Sequence, residues 1–284
     1  MWRDIYFEII KLKSQKKNYI VAIGHLFFIL LCYVGIKTSN MRFLERGVQR
    51  KADLQFTNFM DFVDGLMFAR LALLPTFLVI MPIFICTIAG DTVAGEMQDG
   101  SLKLFAARPR SRTRIIIAKF WAIFVWDIIF CLYFAIVGLL VGIALFGVGN
   151  VQLVYLHGAK MGTELVMMPT GQAMLCYWMT TLYFSVSMMA LGSVTLFLST
   201  IFNRMTAASV GGIVIYFVCY IAEKLPFMEA VRPYLLSKVM NGAIVFWLGE
   251  IPLRRTLVNF SALGLYMCVF TALALFIFNS KDIK

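Results

Sequence analysis

Two polar features interrupt an otherwise apolar sequence, and their residue types are the ones that could carry chemistry. The first is the stretch 88–120, which contains glycine and many charged side chains and has long apolar runs directly before and after it. The second is Asp127, an acidic residue well inside an apolar run. A charged group at such a position is costly and usually faces a bundle interior or an aqueous cavity. Asp127 therefore indicates either a residue that lines or gates a path, or a carboxyl group held by a hydroxyl on a neighbouring helix.

Sequence motifs for catalysis, nucleotide binding and metal binding are absent from the chain. It has no G-x-x-x-x-G-K-[ST] phosphate loop, no HExxH or GxSxG motif and no EF-hand loop. An intramembrane enzyme built on Asp127 would need a second acid or a histidine at matching depth, and His25 is the one candidate. We therefore expect no catalytic, cofactor-binding or metal-binding residues, and we expect that the chain is not an enzyme.

The composition predicts an integral membrane protein. Hydrophobic residues make up 61% of the chain and charged residues 14%, whereas a soluble domain has roughly 45–50% and ~25%. The net charge of +11 fits basic residues that flank membrane spans and face anionic headgroups. Because no nucleic-acid-binding motif accompanies this charge, we expect the lipid bilayer, and no nucleic acid, as a partner. The predicted location is the cell (inner) membrane, which the chain crosses several times.

Six apolar runs predict an all-α membrane protein with a bundle of six transmembrane helices. Each run is long enough, or nearly so, to cross ~30 Å of hydrocarbon. The predicted spans are 19–36, 66–89, 115–146, 173–201, 207–222 and 257–278. Pro75 and Pro82 in the second span free backbone carbonyls, so they predict a bend whose carbonyls neighbouring helices must satisfy. Six crossings put both termini on one side, and the distribution of Lys and Arg weakly favours the cytoplasm.

The N-terminal segment 1–17 is amphipathic and predicts a helix that lies in the membrane interface before the first span. Its predicted apolar face consists of Trp2, Ile5, Tyr6 and Ile9, which follow helical spacing. Its predicted polar side carries Arg3, Asp4, Glu8 and Lys11. The alternative is a frayed polar leader before the first span.

Three segments are predicted to lie on the outer side, and the first of them joins the first and second spans. Segment 147–171, between the third and fourth spans, is expected to be a loop. Segment 223–255, before the sixth span, is half apolar and is broken by three prolines, Pro226, Pro233 and Pro252. Because its pieces are too short to span a bilayer, they predict re-entrant or interfacial helices tucked against the bundle.

The segment 90–114, between the second and third spans, is longer than a simple connection needs and predicts a short folded element. Gly95 and Gly100 are expected to let the chain turn on either side of Glu96. The residues predicted to form the contact surface of this element are Glu96, Gly100, Ser101, Leu102, Leu104, Phe105 and Pro109. Its apolar members favour a partner that covers them, and Arg112 and Arg114 are expected to meet lipid headgroups. The alternative is a solvated connector rich in positive charge.

This pattern resembles the permease subunits of type-2 ABC exporters. In that family, a span is followed by a glutamate, a Gly-Thr/Ser-Leu sequence, a leucine-rich turn, a proline and a basic helix that returns to the membrane. The matching residues here are Glu96, Gly100, Ser101, Leu102, Leu104, Pro109, Ile115 and Lys119. Lys103 stands where the family often carries a second acidic residue, which argues against a salt contact there. The resemblance covers the whole plan of the chain, including an elbow helix at 1–17 and a coupling helix within 90–114.

The resemblance implies one transmembrane permease domain over 1–284, with cytoplasmic termini and no ATPase of its own. Such subunits pair with a second copy or a homologous permease, and they bind two ABC ATP-binding subunits, which hold ATP and Mg. The coupling helix would transmit the motion of those subunits to the spans, and transport would be mostly outward. The family moves lipids, glycans, peptides, drugs or ions, and the apolar and aromatic composition favours an amphiphile. The alternative is a non-transporting membrane anchor or assembly subunit of an ABC-ATPase-driven machine.

Overall fold

The computed structural model describes residues 1–38, 64–101, 112–149, 151–158, 162–247 and 253–281. Within these residues, six helices are long and apolar enough to cross a membrane. They are Lys17–Thr38, Gly65–Gln98, Arg112–Phe146, Thr170–Ile201, Met205–Ala222 and Leu253–Ser280. Every predicted span therefore lies within one of these helices, and the protein is a multi-pass helical membrane protein.

The described helices are numbered in chain order. The first ones are α1 (Trp2–Lys13), α2 (Lys17–Thr38), α3 (Gly65–Pro75), α4 (Met81–Gln98) and α5 (Arg112–Phe146). They are followed by α6 (Thr170–Ile201), α7 (Met205–Ala222), α8 (Leu236–Met240) and α9 (Leu253–Ser280). A π-helical turn, Thr76–Ile80, joins α3 to α4, so that α3 and α4 form one span.

The long helix α6 lies at the centre of the bundle. In its most apolar stretch 78% of the residues are buried, compared with 17% in α2 and 11% in α9. Small residues let its neighbours α4 and α7 approach closely, because a Cβ atom on Gly90 would lie 2.3 Å from Ser209 Oγ. A Cβ atom on Gly212 would likewise lie 2.3 Å from Thr195 Oγ1. Close backbone approach through small residues is the usual way in which membrane helices pack.

The predicted irregularity at the two prolines of the second span is confirmed. The π-helical turn lies between Pro75 and Pro82. Pro82 has no N–H with which to bond the carbonyl of Leu78. The hydroxyl of Tyr216 on α7 donates to that carbonyl instead, at 2.9 Å. A neighbouring helix therefore satisfies the freed backbone group, as a membrane environment requires.

The segment predicted as a loop after the third span contains a β-hairpin. Strands β1 (Val151–Gly158) and β2 (Gly162–Pro169) pair antiparallel, with Val151 opposite Pro169 and Gly158 opposite Gly162. The strands contain valine, leucine and tyrosine, and glycine stands at both sides of the turn, which are strand and turn signals. At the base of the hairpin, the N–H of Gly149 donates to Asp64 Oδ2 at 3.1 Å and ties the hairpin to the start of α3.

The segment before the last span is broken into short helices, as its prolines predict. It contains the 3₁₀ turns Pro226–Met228, Arg232–Tyr234 and Asn241–Trp247, together with α8. The hydroxyl of Ser237 on α8 donates to the carbonyl of Cys219 near the end of α7, at 2.9 Å. The segment therefore folds back onto the bundle rather than extending from it.

Candidate functional site

Helix α1 packs against α5, and the four residues of its predicted apolar face differ in their exposure. Ile5 is buried and Ile9 packs against the hydrophobic core. Trp2 and Tyr6 are 85% and 65% exposed, and Phe7 is 70% exposed beside them. Of the four residues of the predicted apolar face, two therefore contact the bundle and two are exposed.

The acidic residues of α1, predicted to lie on its polar side, face the bundle. Asp4 Oδ2 accepts a hydrogen bond from Arg114 Nε at 2.7 Å, and Glu8 Oε1 accepts one from Lys119 Nζ at 3.1 Å. Both basic partners lie in the first turns of α5. Ion pairing with α5 therefore decides how α1 is rotated about its axis, and this leaves its aromatic side chains on the outside.

Glu96 and Lys119 form the centre of a buried ion-paired cluster, which we call the strap cluster. Glu96 in the last turns of α4 is 4% exposed, Lys119 is 1% exposed, and Lys119 Nζ lies 2.6 Å from Glu96 Oε1. Lys11 Nζ of α1 contacts the same oxygen, and Glu8 of α1 contacts Lys119. Because each buried charge has at least one opposite charge in contact, the cluster offsets the cost of removing these groups from water. It joins α1, α4 and α5.

A second set of polar contacts fixes the start of α2 on α4. Asp91 Oδ2 accepts hydrogen bonds from Gln15 Nε2 at 2.9 Å and from Lys17 Nζ at 2.8 Å. A Cβ atom on Gly95 would lie 2.1 Å from Asp91 Oδ1, so the glycine leaves room for this carboxylate. The prediction that the chain turns at Gly95 is therefore wrong, since Gly95 lies inside α4.

The helix before the polar segment is longer than predicted, and the turn comes after it. The second span was expected to end near residue 89, but α4 continues to Gln98. Gly100 then adopts a φ of 71°, a conformation that glycine adopts without steric cost. The hydroxyl of Ser101 donates to the carbonyl of Glu96 at 3.4 Å. Glu96 is thus buried within the protein, and the turn predicted at Gly100 is confirmed.

The remaining residues of the predicted contact surface lie outside the described residues. They are Leu102, Leu104, Phe105 and Pro109. Where the chain is described again, Arg112 donates to carbonyls at the end of α9, those of Asn279 at 3.2 Å and Lys281 at 2.8 Å. Both arginines thus have contacts within the protein, here and in the ion pair of Arg114, and their predicted contact with headgroups stays a prediction.

The last helix is tied to α6 in a similar way. Lys281 Nζ donates to the carbonyls of Thr200 and Ile201, at 2.9 and 3.0 Å, where α6 ends. A cation at this place is favourable because the carbonyls at a helix C-terminus carry partial negative charge. Partial burial lowers the pKa of the Lys281 side chain below its usual value.

Asp127 lies in the closed interior of the bundle. It is 0% exposed, and the hydroxyl of Ser185 on α6 donates to its Oδ2 at 2.9 Å. A cavity of about 210 Å³ lies elsewhere, among α6, α7, α9 and the residues before and within α8. His25 is not brought to the carboxylate; its ring centre lies 4.3 Å from that of Phe134. Of the two interpretations of Asp127, this geometry favours the hydrogen bond between spans.

The contacts within the strap cluster were not identified from the sequence. Glu8 and Lys11 lie more than 80 positions away from Glu96 along the chain, and Lys119 lies in the next span. One available signal was the pair of acidic residues Asp4 and Glu8, which share one face of α1 because they are one helical turn apart.

Comparison with known proteins identifies the family of the chain. The model of the family described as "Protein of unknown function (DUF2705)" matches residues 26–284. The chain is also similar to the uncharacterized protein YhcI of Bacillus subtilis (strain 168), with 28% identity over 222 residues. That alignment covers 73% of this chain and 66% of YhcI, so it spans just under two thirds of the relative. Because the family model matches most of the sequence, the chain belongs to the DUF2705 family.

Proposed function

We propose that the protein is the membrane-spanning permease subunit of an ATP-driven ABC transporter and that it works in export. In this proposal ATP and Mg are bound by two separate ATP-binding subunits. A second permease copy or a homologous permease completes the translocation path. Both termini face the cytoplasm, and the short helices before α9 lie at the outer face.

The observation that carries this proposal is the strap cluster. It binds α1 to the last turns of α4 and to the first turns of α5, and these helices flank the segment 99–111 that is expected to dock on the ATPase. A solvated connector has no need for such a buried cluster. If the docking segment must move α4 and α5 together, the cluster is useful, because it makes α1, α4 and α5 move as one when the segment is displaced.

The strength of the cluster is sufficient for this role. Removing one partner of a buried ion pair costs roughly 3–5 kcal/mol. If Glu96 and Lys119 separated, each would keep a single opposite charge, Lys11 and Glu8 respectively. Motion of the docking segment would therefore carry α1, α4 and α5 as one unit. Between two arrangements of the bundle, a rigid unit of this kind can transmit displacement over the length of the spans.

The elbow role of α1 fits its outer surface. Trp2, Tyr6, Phe7 and Ile10 are exposed on it, and lysines at positions 13 and 16 are exposed nearby. Aromatic side chains next to basic ones are typical of helices that lie at the membrane surface. In the proposed permease this face contacts the cytoplasmic leaflet, while the acidic residues of α1 bind α5.

The first test is to identify the partner. The tagged full-length chain is purified in a mild detergent, and we expect an ABC ATP-binding subunit to co-elute with it. Leu102→Ala combined with Phe105→Ala should leave basal ATP hydrolysis intact, while transport and its stimulation by substrate are lost or the ATPase is shed. The reason is that these two side chains are expected to form the apolar contact with the partner.

A matched control replaces an exposed apolar residue of the segment before α9. Phe227 is 75% exposed, so Phe227→Ala should leave both ATPase binding and transport unchanged. Full transport by the double variant with a tightly bound ATPase would contradict the docking role. An ATPase that binds and hydrolyses ATP without any transport by the native complex would instead show the anchor function.

A further inference from the structure

Arg70 differs from the other buried or half-buried charges of the bundle. It lies inside α3, within the apolar sequence "GLMFARLALLP". Lys119 is paired with two carboxylates, and Asp127 accepts a hydrogen bond from Ser185. For the half-buried Arg70, by contrast, the described part of the chain supplies no hydrogen-bond acceptor and no ion-pair partner. A cation in a membrane span without an acceptor is costly, which points to a partner outside these residues.

The guanidinium group of Arg70 is held against an aromatic ring. Its central carbon lies 4.9 Å from the ring centre of Trp247, a distance at which a cation is attracted by the ring. Trp247 is itself fixed, since it is 6% exposed and its indole N–H donates to Thr180 Oγ1 at 2.9 Å. The contact with the ring does not use the N–H groups of the guanidinium as hydrogen-bond donors to oxygen, and they can still donate to an acceptor.

The nearest acidic side chain on the same span already has other contacts. Asp64 caps α3: its Oδ1 accepts from the N–H of Met67 at 2.8 Å, and its Oδ2 accepts from the N–H of Gly149 at 3.1 Å. Neither of these two contacts involves Arg70.

An apolar surface continues from Arg70 along the same span. Leu74, one helical turn further, is 44% exposed, and it is followed by Val79 at 47% and Ile83 at 41%. Arg70 stands near the start of α3 and Glu96 near the end of α4, so the cation lies at the end of the span that is opposite to the strap cluster. One positive charge at the end of an apolar strip matches a molecule with an anionic head and a hydrocarbon chain.

We infer that Arg70 and Trp247 form a binding site for the phosphate head of an amphiphile, whose chain lies along Leu74, Val79 and Ile83. The guanidinium donates to the phosphate oxygens, and the indole holds it in position. A resident membrane phospholipid and a transported amphiphile share this chemistry. The inference goes beyond the proposed function, because the site exists whether or not the chain works with an ATPase.

The test measures binding to the full-length protein in a neutral detergent by native mass spectrometry. The probes are dioleoyl phosphatidylglycerol, dioleoylglycerol without a phosphate, and inorganic phosphate. We expect the native protein to bind the phosphatidylglycerol about tenfold more tightly than the dioleoylglycerol, because a charged hydrogen bond is worth ~1.5–3 kcal/mol. Arg70→Gln should abolish this preference, and Arg70→Lys should keep part of it. Inorganic phosphate alone should bind weakly, since it lacks the chain.

The matched control is Arg254→Gln, because Arg254 is an exposed arginine near the start of α9; it should leave the preference unchanged. Trp247→Phe keeps a ring but loses the hydrogen bond to Thr180, and should weaken phosphatidylglycerol binding about threefold. Thermal unfolding of each variant verifies that it is folded, and Trp247→Phe and Arg70→Lys serve as the tests if Arg70→Gln does not fold.

Two further results distinguish a resident lipid from an exchangeable amphiphile, and three results would overturn the inference. A phospholipid that co-purifies with the native protein from membranes and is lost in Arg70→Gln identifies a resident lipid. Binding that occurs only after addition identifies an exchangeable amphiphile. The inference is overturned if the native protein does not distinguish the two glycerolipids, or if Arg70→Gln retains the preference. Equal losses in Arg70→Gln and Arg254→Gln would also overturn it, since they would reflect general surface charge.

Discussion

At the scale of single residues, the charged side chains of this protein act mainly on one another. In the sequence, Glu96 and Lys119 belong to the polar stretch 88–120. In the structure both are buried, and each contacts residues of α1. Their immediate physical role is therefore to hold helices together, and any role in coupling acts through that contact.

Removal of one partner of the strap cluster should destabilise the protein strongly. Lys119→Met leaves Glu96 with Lys11 alone and leaves Glu8 without its lysine, so we expect a loss of roughly 3 kcal/mol in unfolding free energy. Combining Lys119→Met with Glu96→Gln should cost less than the sum of the two single changes, since the pair is then removed together. Thermal unfolding in one detergent measures all three.

Lys13→Met serves as the control for this experiment, because Lys13 is an exposed lysine of the same helix α1. Its replacement should change the stability by less than about 0.5 kcal/mol. If the costs of Lys119→Met and Glu96→Gln simply add, the two side chains do not interact in the folded protein.

The hydrogen bond between Asp127 and Ser185 should contribute to stability more than other buried hydroxyls of α6. Ser185→Ala removes the donor to a fully buried carboxyl group and should cost ~1–3 kcal/mol. Asp127→Asn keeps an oxygen that can accept from Ser185, so its cost should be smaller. Thermal unfolding is the measurement, with activity per folded complex as a second reading.

Ser187→Ala is the matched control for Ser185→Ala. Ser187 is also buried in α6, but its hydroxyl donates to the carbonyl of Tyr183 within the same helix, at 2.9 Å. The structural role of Asp127 would be rejected if Ser185→Ala were no more costly than Ser187→Ala. A change in substrate-stimulated ATP hydrolysis of a fully stable Asp127→Asn complex would favour the path or gate role.

At the scale of elements, α4 illustrates how a helix can continue past the end of its apolar pattern. Beyond residue 89 the helix contains the acidic residues Asp91 and Glu96. The second span was predicted to end before them. Each of these has a partner from α1 or from the residues that lead into α2. Ser199 of α6 also accepts from the N–H of Ala94 at 2.8 Å. Neighbouring elements thus stabilise helical turns that the hydrophobic pattern alone does not predict.

Helix α1 should lie with its aromatic side against the membrane. We expect spin labels placed by cysteine substitution at Tyr6 and Ile10, in a background without native cysteines, to be reached by oxygen dissolved in lipid. The physical reason is that these exposed apolar side chains gain from transfer out of water. Power-saturation measurements on the protein in lipid bilayers report this depth.

A label at Lys16, which is exposed just after α1, provides the comparison for a position in water. It should be reached by a water-soluble relaxing agent and little by oxygen. If labels at Tyr6 and Ile10 behave like the label at Lys16, then α1 lies in the cytosol and is not an elbow at the membrane surface.

At the scale of the whole molecule, the sequence determines the number and approximate position of the spans. A helix that crosses hydrocarbon needs about 20 apolar residues and must satisfy its own backbone groups, so each span leaves a local signal. The breaks at Pro226 and Pro233 and the turn at Gly100 are local for the same reason, because proline and glycine act on their own backbone.

The β-hairpin 151–169 was missed although its signals are also local. Its strands are short, and valine, leucine and tyrosine in an outer loop of a membrane protein do not by themselves distinguish a strand from an irregular segment. Pairing of the strands decides the outcome, with Gly158 opposite Gly162 next to the turn.

Tertiary structure alone decided the orientation of α1 and the partners of the charged residues. The contacts that rotate α1 join residues 110 and 111 positions apart, Arg114 with Asp4 and Lys119 with Glu8. The contact between Arg70 and Trp247 likewise joins α3 to the segment before the last span. A hydrophobic pattern records which side chains avoid water, but it does not record which distant charge each buried charge meets. That choice follows from the packing of helices in three dimensions, because only there do opposite charges come close enough to offset the cost of burial.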